Sequence, residues 1–149
     1  MRHAVFIAAL LVTLAPRVAW AAAVCTASAT SVAFGTINPF GSAITPNGTI
    51  TVACSGGGTG STYTIALSTG NSGSYSTRQM QSGTNTLNYN LYTTSALSSI
   101  WGNGTGGSAT VTGTNTKATS NFTVYGKLPT PQGVTPSSYS DTITVTVTY

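Results

Sequence analysis

Residues 141–149 alternate without a break. Thr142, Thr144, Thr146 and Thr148 form one row, and Ile143, Val145, Val147 and Tyr149 form the other. A period of two marks a half-buried β-strand, and β-branched residues at nearly every position suit a pleated, packed surface. The same alternation recurs upstream. Ile50, Val52 and Cys54 share a face over 49–54, Tyr63, Ile65 and Leu67 over 63–67, and Leu87, Tyr89 and Leu91 over 87–91. Shorter runs at 31–34, 109–111 and 121–125 predict further strands, and 78–80 reads as a short segment able to pair at an edge.

Turn chemistry separates these runs at 38–41, 55–61, 70–73 and 102–107, and Pro129, Pro131 and Pro136 hold an extended connection into the final strand. Seven or eight short strands with turns roughly every 8–15 residues, and no helical period, predict an all-β sandwich or barrel in one domain. The last strand is long, regular and uncharged. An edge of that kind is a pairing and aggregation hazard unless something covers it.

Composition sharpens the picture. Only 4% of the 149 residues are charged, against about a quarter in ordinary soluble domains. Seven Tyr, four Phe and two Trp argue against disorder, so the chain reads as folded and Thr-rich. Residues 1–21 have the layout of a secretory signal: Arg2 and His3, an apolar run from Ala4 to Leu14, then Ala19-Trp20-Ala21 as a small-x-small cleavage site. That run is too short to span a bilayer, and no other apolar run approaches membrane length. The mature domain is then 22–149, with no membrane span.

Cleavage would remove the only His and two of the five basic residues. Arg78, Lys117 and Lys127 remain against Asp141, a net charge of +2. There is no basic stripe to track phosphates, so nucleic acid is not an expected partner. Cys25 and Cys54 are both bound for an oxidising compartment and are expected to form a disulfide. Closing such a loop contributes roughly 3–4 kcal/mol in the chain-entropy picture. Zinc is a poor alternative, since two thiols without a His or further Cys do not complete a tetrahedral site.

The chain carries little that could perform catalytic chemistry. Acid–base work needs a His or a pair of carboxylates, and the mature chain has neither. Asp141 reads as a turn or cap residue at a strand start. A Ser–Lys pair through Lys117 or Lys127 is formally possible and carries almost no information among so many serines. Arg78, close in sequence to Tyr75, reads as a stem lying over an apolar patch with its head in water. The Gly-rich 55–61 stretch lacks the Gly-Lys-Ser/Thr of a phosphate loop and no helix follows, so it reads as a hairpin connection. Asn47, Asn103 and Asn121 open glycosylation triplets, a cheap match in a chain so rich in Asn and Thr. No cofactor or metal is expected.

Taken together, the pieces at 32–35, 75–80 (with Arg78-x-Met80), 87–92 (with Leu87-x-Tyr89-x-Leu91), 101–105, 124–126 and 139–149 resemble, in the same order, the spore coat protein U domain family. The resemblance covers essentially the whole mature chain. It implies an immunoglobulin-like β-sandwich lacking its final strand, and a non-catalytic subunit of a bacterial surface fibre or coat that supports adhesion and biofilm formation. It also implies partners: a periplasmic pilus chaperone, an outer-membrane usher, and a neighbouring subunit that donates a strand. In that frame Ile143, Val145, Val147 and Tyr149 would line the core beside an open acceptor groove, and the carboxylate of Tyr149 could anchor a basic residue of the chaperone. Main-chain hydrogen bonds would supply affinity and alternate side chains would fill pockets.

One departure bears on position in a fibre. Cys25 follows the expected cleavage site by about three residues, Ala22 to Val24. At about 3.3 Å per residue that reaches about 10 Å, short of the 17–20 Å of a typical strand. The expectation is therefore a subunit that accepts a strand without giving one, at a tip or capping position. The alternative from another class is a self-contained secreted module that binds carbohydrate or a surface ligand, with Trp101, Tyr92 or Tyr75 as stacking platforms.

Overall fold

In the computed structural model, residues 22–35, 37, 41–130 and 132–149 are described. The expected signal segment 1–21, the turn residues 38–40 and Pro131 lie outside them. Strand-forming runs yield β1 (Val24–Ala29), β2 (Asn47–Ser55), β3 (Thr62–Leu67), β4 (Arg78–Ser82), β5 (Asn85–Tyr92), β6 (Val111–Thr114), β7 (Thr119–Lys127) and β8 (Val145–Thr148). A 3-10 turn at Gly70–Ser72 is the only helical element among the described residues.

The strands form two antiparallel sheets, ordered β1-β2-β7-β5-β4 and β6-β3-β8. The inner face of the larger sheet presents Ile50, Val52, Leu87, Tyr89, Leu91 and Val124. Tyr63, Ile65 and Leu67 answer them from β3. These residues are buried, so the alternation at 49–54, 63–67 and 87–91 sorts its apolar rows inward. Each such burial stabilises the fold by roughly 1.5–3 kcal/mol. Of the sandwich or barrel expected from the pattern, the two-sheet sandwich is the fold observed.

β1 exposes most of its side chains and has little apolar surface to hold it in place. Cys25 lies directly opposite Cys54 in the β1–β2 ladder, and the two are bridged. The disulfide thus fixes an edge strand that packing alone would hold weakly.

Three predicted strands are placed differently, the final one because only Val145–Thr148 of the 141–149 run forms β8. The 31–34 run forms no strand and pairs with no neighbour among the described residues, and the first strand lies earlier, at β1. Val32 and Phe34 turn inward there without a strand beside them. The 109–111 run becomes β6 only from Val111 onward, because Ala109 forms an isolated bridge to Trp101 instead.

Tyr63 packs edge-on against Phe122, ring centroids 6.2 Å apart, and its buried hydroxyl has no hydrogen-bond partner among the described residues. An unmet buried hydroxyl is a net cost. Tyr63→Phe should therefore leave stability unchanged or raise it by up to about 1 kcal/mol, a rise of about 4 °C in Tm. A loss of about 1 kcal/mol or more in thermal unfolding would mean that the hydroxyl is satisfied by a water.

Candidate functional site

Among the described residues the last strand pairs along one edge only, leaving the other open. On the paired side Leu67, Ala66, Ile65 and Thr64 of β3 stand opposite Val145, Thr146, Val147 and Thr148. Ser68 extends the ladder: its N–H donates to Thr144 O (3.0 Å), and its Oγ accepts from Thr144 N (2.9 Å). Backbone groups of an antiparallel strand point alternately to either side. Those of Thr144, Thr146 and Thr148 face β3, so those of Ile143, Val145 and Val147 face outward from the sheet. The same three residues turn their side chains inward, where all are half-buried against the core. Tyr149 departs from the expectation. Pairing stops at Thr148, and the Tyr149 ring is 58% exposed rather than part of the core.

Beside this open edge runs a groove of about 860 Å³. Ile50, Leu67, Met80, Tyr89, Leu91 and Val124 line its depth, and Ile143 and Val145 line one lip. The other lip runs from the end of β1 at Ala29, through Thr30, whose N–H donates to Thr49 O (2.9 Å), into residues 31–35, which belong to no strand. Val32 seats that lip in a hollow on β7, where a Cβ on Gly126 would stand 2.6 Å from Val32 Cγ1 and 3.0 Å from Phe34 Cζ. Phe34 meets Tyr89 edge-to-face at 5.5 Å. One end of the groove is polar, with Ser137, Ser138, Ser140 and Asp141.

Residues 140–144 are held by side chains and single bridges rather than by a ladder. Ser140 and Gln81 exchange backbone hydrogen bonds of 3.1 and 2.8 Å. Asp141 Oδ1 accepts from Asn71 N (2.9 Å) and Thr142 N (2.8 Å), and its Oδ2 accepts from Tyr89 Oη (2.7 Å). Gly70, with a φ of +66°, lets the 3-10 turn pass so close to the Asp141 carboxylate that a Cβ there would collide with it. Burial, then the hydrogen bond to Asp141 and its charge, pushes the Tyr89 phenol well above its usual pKa, so it remains a donor.

Behind this lip lies Arg78, fully buried and not on the surface as expected. Its Nε and Nη2 donate to Ser68 O (3.1 and 2.8 Å), Nη2 also to Trp101 O (2.6 Å), and Nη1 to Asn90 Oδ1 (2.7 Å). Burial pulls its pKa down, and the fields of Tyr89, Tyr75 and Asp141 push it back up. Through Ser68, the guanidinium is tied to the residue that clamps Thr144. Arg78 shares a strand face with Met80, opposite Tyr89 and Leu87, and this shared parity was the signal that could have placed it inside.

The stacking platforms fare unevenly. Trp101 is buried, its Nε1 donating to Ile65 O at 3.1 Å. The Tyr75 ring is covered by Arg78, with Cζ 5.4 Å from the centroid. Tyr92 is half-buried on the outer sheet face, across from Tyr125. No helix among the described residues is long and apolar enough to cross a membrane.

Comparison with known proteins gives the following. Residues 8–146 match the family model described as Spore Coat Protein U domain. Among solved structures, the chain resembles one in the CsuC–CsuE chaperone–tip adhesion subunit pre-assembly complex from the archaic chaperone–usher Csu pili of Acinetobacter baumannii. The TM-score is 0.60 and the identity 21%, over 85% of this chain and 40% of that one. The likeness is one of fold, and this chain spans well under half of its counterpart. No curated protein matches.

Proposed function

The chain belongs to the Spore Coat Protein U domain family, and from that premise we propose that it is a structural subunit of a bacterial surface fibre or coat, assembled by strand donation. The observation that carries the proposal is the edge at Ile143 and Val145, unpaired among the described residues, lying along a groove with an apolar floor. A strand added there would pair its backbone with that edge and fill the groove with alternate side chains, which is β-augmentation. A periplasmic chaperone would supply that strand first and a neighbouring subunit afterwards, with an outer-membrane usher as the site of exchange. The fold that this chain shares with a chain of a chaperone–tip adhesion subunit pre-assembly complex from chaperone–usher pili supports the reading.

Export through the periplasm to the cell surface belongs to the same proposal. So do a tip or capping position, adhesion, biofilm formation, and a role without catalysis. Expression alone should yield aggregated or unstable subunit, because the groove and its backbone edge stay uncovered. Co-expression with the cognate chaperone, or refolding with a peptide of alternating apolar residues, should restore soluble protein. A stable monomer indifferent to both would sink the proposal and favour a self-contained binding module. Immunogold labelling of native fibres tests the position, since label along the whole shaft would rule out a tip or cap.

A further inference from the structure

Asp141 is the only side-chain carboxylate in the chain, and it stands in the groove wall. With a period of two it shares the inward row of the acceptor strand with Ile143 and Val145. A charge in that row breaks an otherwise apolar pattern. Its hydrogen bonds to the described residues leave one acceptor position unused. A carboxylate offers about four lone-pair sites, and Asn71 N, Thr142 N and Tyr89 Oη occupy three. The nearby buried cation does not fill the fourth, because the Arg78 guanidinium directs its hydrogen bonds to the neutral oxygens of Ser68, Asn90 and Trp101.

We propose that the strand received by the groove carries a basic side chain, Lys or Arg, at the inward position facing Asp141, with apolar side chains facing Ile143 and Val145. This rests on the strand-accepting reading and adds its chemistry. An inserted strand strips water from Asp141, and a carboxylate desolvated with an acceptor position unmet is costly. A basic residue supplies the missing donor. Its stem can lie along the apolar wall, while its head stays partly hydrated at the end lined by Ser137, Ser138 and Ser140. An acidic residue in the same place would be repelled, so Asp141 would set both register and choice of partner.

The test uses the full chain refolded with peptides of alternating Val and Thr, in which Lys, norleucine or Glu is placed at each inward position in turn. Affinity is read by competition with a fluorescent all-apolar peptide. At one position Lys should bind about tenfold more tightly than norleucine, and Glu more weakly than either. The Lys advantage should shrink as salt is raised, and it should vanish in Asp141→Asn. If every peptide binds but Lys and norleucine are equal at all positions, the basic residue is wrong and the groove stands. If no peptide binds, the groove reading itself fails. Should Asp141→Asn not fold, the Lys, norleucine and Glu comparison on the unsubstituted chain decides.

Discussion

Arg78→Met should cost the strand-complemented subunit about 3–5 kcal/mol, one of the largest losses open to a single substitution in this chain. Replacing a buried charge with an apolar side chain can be neutral when its partners are replaced too. Here the partners stay. Ser68 O and Trp101 O would lose the donors that reach them, and Asn90 Oδ1 would keep only Leu91 N. Each unmet buried acceptor costs roughly 1–3 kcal/mol. Arg78→Lys should fall between, since one ammonium cannot reproduce the planar fork across three oxygens. The damage should also reach the acceptor edge, because Ser68 clamps Thr144. Denaturant unfolding of the peptide-complemented subunit measures this, and a loss under about 1 kcal/mol in Arg78→Met would show that water replaces the guanidinium.

Period-two alternation made most of the sandwich legible, because it says which residues share a face and burial then orients that face. Ile50 and Val52, Ile65 and Leu67, and Leu87 and Leu91 all lie inside, as their spacing requires. Alternation says nothing about where pairing stops. Tyr149 continues the row of Val145 and Val147 and yet stands in solvent past the last ladder residue. Nor does it show that an alternating run lacks a neighbour, and so the lip residues 31–34 read in sequence as an ordinary strand.

Polar residues were the harder part. Asp141 as a local cap is visible in sequence, since it accepts from the next residue's N–H. Its bonds to Tyr89 and Asn71 cross 52 and 70 residues and have no local mark. Residue type alone sends an Arg head to water and, in the binding-module alternative only, makes Trp101 an exposed platform. The fold satisfies both internally, with backbone carbonyls as acceptors, and only three-dimensional placement brings those carbonyls within reach.

Val145→Asp and Thr146→Asp should behave oppositely despite being neighbours, with the first reducing strand binding by at least about 100-fold. Val145 lines the groove and opens its backbone to the incoming strand, whereas Thr146 is exposed and turns its backbone to Ala66 of β3. In the empty subunit a carboxylate at 145 keeps part of its water, so folding should suffer only moderately. Once a strand fills the groove, that carboxylate is enclosed among Ile50, Leu67 and Ile143, and a carboxylate buried without a cation costs several kcal/mol. A penalty of about 3 kcal/mol corresponds to the expected fall in affinity. At position 146 the added charge stays in water and leaves the open edge untouched, so binding should change by no more than about threefold. Tyr149→Ser supplies the control for the end of the strand: with the ring in solvent it should be as mild as Thr146→Asp. Peptide affinity and recovery of the chaperone-bound form read all three. Equal tolerance at 145 and 146 would mean that the acceptor does not run along this edge, and a severe loss in Tyr149→Ser would mean that the ring folds inward when the strand arrives.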